Sequence, residues 1–117
     1  MSRPPTDRLQ DIISSAALAQ RYAADLERDS FAKADERRDA ALFRLAVVCE
    51  AASHLPPDIQ ALAPEILWSD IRGMRNYIVH SYWQIDFAIV ADVLRNDLGP
   101  LGTAAERLIA IIQSHDS

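Results

Sequence analysis

The stretch PEILWSDIRGMRNYIVH, residues 64–80, decides the fold because its apolar residues recur at helical spacing. On a helical wheel of about 100° per residue, four of them fall within about 60° of one another. These four are Leu67, Ile71, Met74 and Ile78. The pattern predicts a helix from about Glu65 to His80 or Ser81 that buries this stripe against a helical bundle. Pro64 suits the first turn of such a helix, where its missing N–H is not needed.

Polar residues lie on the other side of the same helix. Asn76 and His80 are one turn apart, and His80 lies about 180° from Ile71 around the wheel. Arg75 lies on the flank between them, beside Arg72. The titratable side chains are therefore expected to point away from the core of their own chain. A solvated face, a subunit contact and an active site all fit this arrangement.

Two aromatic residues, Tyr82 and Trp83, follow the polar group. Because aromatic surface is costly to leave in water, they favour a surface that binds a partner or a ligand. Histidine exchanges protons near neutral pH, and the planar fork of arginine fits phosphate oxygens. Together they suffice for metal-independent RNA cleavage, in which a base activates the 2′-OH and arginine stabilises the charge added at phosphorus. The same pair also suits binding of a nucleotide phosphate without turnover.

The rest of the chain also has helical rather than strand periodicity. The predicted helices run from a Thr6–Asp7 cap to about Leu26, from Asp35 or Asp39 to before Pro56, from the Asp86 cap to about Arg95, and from Leu98 to Ile112. Residues 29–34 are predicted to be a connection, and the segment GPLG at 99–102 is a candidate break in the last helix. The fold class is therefore all-α, a bundle of four to five helices in one domain spanning residues 1–117.

Composition limits the function. The chain has 117 residues and a formal net charge of -5, so nucleic-acid binding needs a local basic patch or one assembled by pairing subunits. The single cysteine, Cys49, cannot form an internal disulfide and is predicted to be a packed core thiol. His54 is predicted to cap the second helix, and the three histidines lack metal-ligand spacing. We expect a cytoplasmic protein with no metal site, no cofactor and no membrane span.

The run RNYIVHSY, residues 75–82, fits the pattern R-x4-H-x-Y and resembles the signature of HepT-like toxins in the HEPN superfamily. Three longer stretches resemble the same family: ALFRLAVVCEAASHLP, PEILWSDIRGMRNYIVH and IDFAIVADVLRNDLGPL. Together they cover most of the chain from about Ala41 to Leu101.

The resemblance implies a HEPN-type helical bundle that forms a homodimer, with two motifs meeting in a shared cleft. It implies a metal-independent endoribonuclease, the toxin of a type VII-like toxin–antitoxin pair. Its partner would be an MntA-like minimal nucleotidyltransferase that silences the toxin by transferring AMP to Tyr82. Arg75 would then stabilise the phosphorane, His80 would be general base or acid, Asn76 would position the phosphate or the histidine, and Arg72 would add RNA-binding charge.

Two alternatives remain at this stage. One is a non-catalytic HEPN module that binds a nucleotide or a partner, and the other is a purely structural helical dimer. Glu50 is a secondary candidate, either near the motif or the dimer seam or in an ordinary salt bridge on the helix surface.

Overall fold

The computed structural model describes residues 3–24 and 33–116. Within these ranges the helices are α1 (Pro5–Ala23), α2 (Asp35–Ser53), α3 (Pro57–Gln60), α4 (Trp68–His80), α5 (Phe87–Asn96) and α6 (Leu98–Asp116). A 3-10 turn, Tyr82–Gln84, joins α4 to α5. The described residues contain no strand, which confirms the all-α class. Apart from the four-residue α3, five helices remain, in line with the four to five predicted.

Helix α1 forms the centre of the bundle, since it packs against α2, α5 and α6. Its buried apolar positions follow the i, i+3, i+4 pattern expected for one helix face: Leu9, Ile12, Ala16, Ala19 and Ala23. The facing side of α2 also buries several alanines, and small side chains let two helix axes approach closely. The largest fully buried side chains are Leu9, Ile12, Leu45, Val48, Val90, Leu94 and Leu108. Truncating one of the leucines to alanine would cost about 2–5 kcal/mol.

Several predicted helix ends were wrong. Helix α1 begins at Pro5 with Pro4 in the cap position, so Thr6 and Asp7 lie inside the first turn. Proline is tolerated there because the first backbone N–H groups have no partner within the helix. Helix α2 begins at Asp35, one of the two predicted starts. The predicted end near Leu26 and most of the predicted connection lie outside the described residues.

Helix α4 begins at Trp68, about three residues later than predicted. The Trp68 indole N–H lies 3.0 Å from the Gln60 carbonyl oxygen and 3.1 Å from that of Ala63, which anchors the preceding turns. Pro64 therefore lies in a turn before α4 instead of in its first turn. Helix α6 continues through the candidate break, because Pro100 falls in its first turn and disrupts no hydrogen bond there.

The junction between α4 and α5 matches the predicted cap. The Asp86 carboxylate accepts a hydrogen bond from the backbone N–H of Ala88 at 2.9 Å. The backbone N–H of Asp86 donates in turn to the Tyr77 hydroxyl at 2.7 Å. The end of α4 and the start of α5 are thus tied together, which fixes the turn that carries Tyr82.

The predicted core stripe of α4 is only partly buried. Ile78 is buried, Ile71 and Met74 are half-buried, and Leu67 is 68% exposed. Helix α4 packs mainly against α2, so the predicted burial of Leu67 was wrong. The side of α4 that faces the junction of α5 and α6 is left partly open.

Among the described helices, none is long and apolar enough to cross a membrane.

Candidate active site

The motif occupies the C-terminal half of α4 and the turn after it. Arg72, Asn76 and His80 are exposed, and Arg75 is half-buried. Tyr82 lies in the following 3-10 turn and is 53% exposed. The prediction that these side chains lie outside the core of their own chain is therefore confirmed.

Arg75 is held between two helices. Its Nε donates to Glu50 Oε2 on α2 at 2.7 Å, and its Nη1 donates to Asn76 Oδ1 at 3.1 Å. Both partners of the ion pair are partly solvated, so it adds at most about 1 kcal/mol to stability. Its main effect is to fix the orientation of the guanidinium. Within the described residues, the Arg75 side chain makes no other hydrogen bond, so its Nη2 has no partner there.

His54 extends this arrangement along α2. Its Nδ1 lies 2.9 Å from the backbone carbonyl oxygen of Glu50 and 3.3 Å from Glu50 Oε1. When Nδ1 carries the proton, His54 satisfies a carbonyl at the end of α2, as predicted for a cap. The Glu50 carboxylate thus lies between His54 and Arg75, and both interpretations offered for Glu50, proximity to the motif and a surface salt bridge, describe its position.

The remaining motif side chains are not assembled within one chain. In the parts of the chain that the structure describes, the side chains of His80 and Tyr82 form no hydrogen bond or ion pair, with Arg75 and Asn76 or with any other residue. Arg72 also forms none there. The chain therefore brings Arg75, Asn76 and Glu50 together, and presents His80 and Tyr82 separately on the same exposed end of α4.

A shallow depression of about 330 Å³ adjoins Arg75 and Glu50. Arg3, just before α1, and Arg8 of α1 contribute to its wall, and Phe43 of α2 supplies an apolar edge that is 62% exposed. Sequence reasoning missed these three residues. The only available signal was the arginine-rich first part of the chain, since the contact between α1 and the motif depends on tertiary packing.

Within residues 3–24 and 33–116, no three His, Cys, Asp or Glu side chains form a group that could hold a metal ion.

Comparison with known proteins identifies relatives over nearly the whole chain. A family model described as "Ribonuclease HepT-like" matches residues 12–108. A Thermococcus cleftensis protein named "Probable ribonuclease HepT" is 26% identical over 108 residues, which are 92% of this chain and 98% of that protein. The Methanocaldococcus jannaschii protein "Putative RNase MJ1380" is 26% identical over 90 residues, 77% of this chain and 83% of that protein.

A larger protein of the same archaeon also matches, "Gamma-glutamylcyclotransferase and putative RNase MJ0434", at 25% identity over 108 residues. The match takes in 92% of this chain and 47% of that protein, so the chain corresponds to about half of it. No solved structure matches the chain. The family match includes most of α1, the whole motif and α6 as far as Leu108, and the chain therefore belongs to the HepT-like ribonuclease family of the HEPN superfamily.

Proposed function

We propose that this protein is a single-domain, metal-independent endoribonuclease that acts in the cytoplasm as the toxin of a type VII-like toxin–antitoxin pair. One observation carries the proposal: Glu50 and Asn76 orient Arg75 on α4, and His80 is exposed at the end of the same helix. An oriented guanidinium and an exposed imidazole are the groups that phosphate transesterification requires, and pairing of two chains would bring them together.

The reaction uses the RNA itself as nucleophile. An imidazole takes the proton from the ribose 2′-OH, and the 2′-oxygen attacks the adjacent phosphorus. Arg75 neutralises the charge that builds up on the phosphorane oxygens, with Asn76 positioning the phosphate or the histidine. The bond to the 5′-oxygen then breaks, and this oxygen takes a proton from an imidazolium. The products are a 2′,3′-cyclic phosphate and a 5′-hydroxyl.

A homodimer supports this chemistry better than a single chain does. The reaction needs one proton acceptor and one proton donor, and the motif supplies a single imidazole, His80, per chain. Pairing two motifs would also bring two Arg72 and two Arg75 side chains into one cleft. Their positive charge would offset the net charge of -5 locally. Exposed apolar side chains beside the motif, Phe43 and Val79, provide surface for such a contact.

Tyr82 is the proposed site of silencing by an MntA-like nucleotidyltransferase. Its phenol oxygen would attack the α-phosphorus of ATP, forming a tyrosyl–AMP ester and releasing pyrophosphate. Tyr82 is 53% exposed, whereas the Tyr77 hydroxyl accepts a hydrogen bond from the Asp86 backbone and Tyr22 is half-buried. An AMP group on Tyr82 would add negative charge and bulk at the end of α4, where RNA is expected to enter.

The nuclease proposal is tested with purified protein and RNA in the presence of EDTA. The expected result is cleavage that leaves 2′,3′-cyclic phosphate ends. His80→Ala and Arg75→Ala are each expected to slow cleavage about 10²- to 10⁴-fold, since each removes a group that acts only in the transition state. His115→Ala and Arg21→Ala change the same residue types at exposed positions away from the motif and should leave the rate unchanged. Cleavage that survives both motif substitutions would remove the assignment.

The silencing proposal has a separate test. The protein is incubated with an MntA-like enzyme and ATP, and the added mass is mapped by peptide mass spectrometry. Tyr82→Phe should abolish the addition, whereas Tyr77→Phe and Tyr22→Phe should retain it. Modification of Tyr77 or Tyr22 in the unaltered protein would reject Tyr82 as the acceptor without affecting the nuclease proposal.

A non-catalytic binding module is the second candidate, and the Arg75–Glu50 ion pair favours it. The carboxylate, 2.7 Å from the guanidinium, partly offsets the charge that a phosphorane would need. Tight nucleotide or partner binding without RNA cleavage, unaffected by His80→Ala, would support this module over the nuclease.

A further inference from the structure

A groove of about 390 Å³ lies on the opposite side of α4 from the motif. Its floor and walls are mostly apolar and come from four helices: α2, α4, α5 and α6. The main apolar contributors are Leu45, Val48, Ile71, Met74, Val93 and Leu101. This volume lies within the range of about 300–1,000 Å³ that is typical of ligand-binding pockets in proteins.

The groove exists because α4 is incompletely covered. Ile78 is its only buried residue, and Leu67, at the entrance of the groove, is 68% exposed. Ile71 and Met74 line the groove and remain half-buried. Ile71 and Met74 pack against the core on one side only, and their other side is left open towards the groove.

The rim of the groove is acidic. Glu65, Asp70 and Asp97 lie along it. Glu65 is paired with Arg107, whose hydrogen bond lowers the pKa of the Glu65 carboxyl, so the charge of this carboxylate is largely offset. Asp70 and Asp97 form no ion pair within the described residues, so their charges face outward.

These charges decide which occupant fits. A second copy of this chain carries a net charge of -5 and would bring acidic groups towards an acidic rim. A cationic partner gains from the same rim instead. The groove is too small for a whole helix, so apolar anchors would enter it while the helix backbone lies across the rim.

We propose that this groove binds an amphipathic α-helix of another protein, with apolar anchors spaced i, i+3 or i+4, and i+7, and with Lys or Arg on either side of them. The proposal depends on the geometry of the groove and not on the nuclease function proposed above.

The test uses a fluorescein-labelled synthetic peptide of about 18 residues, long enough to hold a helix, with leucine anchors at this spacing and flanking lysines. Binding to the full chain is followed by fluorescence anisotropy. Two peptides serve as comparisons: one with glutamates in place of the lysines, and one with the same composition in scrambled order. We expect saturable binding of the lysine-flanked amphipathic peptide, at least about tenfold tighter than either comparison peptide.

Two variants locate the binding surface. Leu67→Asp puts a charge at the groove entrance and should weaken binding at least about tenfold. Leu62→Asp is the matched control, because Leu62 is also exposed, at 45%, and lies outside the groove. The double variant Asp70→Lys/Asp97→Lys should reverse the preference towards the glutamate-flanked peptide. All of these positions are exposed, so the variants are expected to fold.

The proposal is overturned if the three peptides bind equally, or if Leu67→Asp and Leu62→Asp weaken binding to the same degree. It is also overturned if the lysine-flanked peptide does not bind and Leu67→Asp instead converts a dimer into monomers, since the groove would then hold a second copy. Binding should be unchanged in His80→Ala. Loss of binding in that variant would place the peptide on the motif face and reject the groove.

Discussion

Two adjacent residues of α2, Cys49 and Glu50, point in different directions from the helix axis, and their surroundings give them different chemical roles. Cys49 is 2% exposed, and burial raises the pKa of its thiol to about 12. Glu50, the next residue, is half-buried on the outer side and holds Arg75. The thiol is therefore neutral at physiological pH, and the prediction of a packed core cysteine is confirmed.

The raised pKa of Cys49 predicts a loss of stability at high pH. The folded state keeps the proton until about pH 12, whereas an unfolded thiol releases it from about pH 9. Above pH 9 the unfolded state binds fewer protons, so the free energy of unfolding falls as the pH rises. At pH 10 the expected loss from this group is about 1.4 kcal/mol.

Urea unfolding of the wild type and of Cys49→Ala at pH 8 and pH 10 measures this contribution. Cys49→Ala will lower stability at both values because it leaves a cavity, but it should reduce the fall between them. Lysine and tyrosine ionisation affects both proteins equally and cancels in the comparison. An identical pH dependence in the two proteins would mean that the thiol titrates alike in both states.

At the scale of the elements, α4 determines most of what is specific to this chain. One side carries Arg75, Asn76 and His80, and the other forms the wall of the acidic-rimmed groove. Between them the helix is exposed at Gly73, where an added Cβ would meet no atom within 4 Å. Glycine in a helix interior costs about 0.5–1 kcal/mol relative to alanine.

Gly73→Ala is therefore expected to stabilise the folded chain by about 0.5–1 kcal/mol in urea unfolding at low protein concentration. Gly102→Ala is the matched control, because Gly102 lies in α6 and has equally open surroundings. A similar gain in both variants would confirm that helix propensity is the cause. A loss in Gly73→Ala alone would mean that the exposed face of α4 packs closely against another molecule.

Some features of the helices could be predicted from the sequence, and others could not. Hydrophobic periodicity and local hydrogen-bonding preferences were sufficient to predict the helical class, the apolar stripe of α1 and the Asp86 cap. A helical wheel gives the side of the helix on which Leu67 lies, but it does not show whether a neighbouring helix extends far enough to cover that residue. The start of α4 at Trp68 depends on indole hydrogen bonds to Gln60 and Ala63, and that tertiary contact was not visible in the residue pattern.

For the candidate site, the exposure of the motif residues could be predicted from their spacing along the helix. The residues that surround them could not. Glu50 is 25 positions from Arg75, and the residue pattern identified it as a secondary candidate without showing which side chain it would pair with. Arg3 and Arg8 reach the same depression only because α1 packs against α2. Contacts between helices are set by packing, which a single sequence does not determine.

At the scale of the whole molecule, charge is distributed unevenly along the chain and between the two sides of α4. Counted on the sequence, residues 1–38 hold seven basic and seven acidic side chains, and residues 39–117 hold five and ten. Part of the basic half, Arg3 and Arg8, lies beside Arg75, while acidic residues border the groove on the other side of α4. The motif side holds three arginines against two carboxylates, Asp11 and Glu50, so it carries a small positive excess despite the negative total.

The composite site itself can be tested by subunit complementation. Arg75→Ala and His80→Ala chains are each expected to be inactive alone. When the two are co-expressed, half of the dimers are mixed, and each mixed dimer keeps one intact Arg75 and one intact His80 on opposite chains. If Arg75 of one chain acts with His80 of the other, the cleavage rate should rise above that of either single variant but stay well below about half of the wild-type rate, because half of the dimers are mixed and each keeps only one of the two imidazoles. The measurement is the RNA cleavage rate of the co-purified dimers, with each single variant co-expressed with itself as the control. If each chain instead used its own Arg75 and His80, no mixed dimer would contain a complete pair, and the absence of recovered activity would contradict a site shared between two chains.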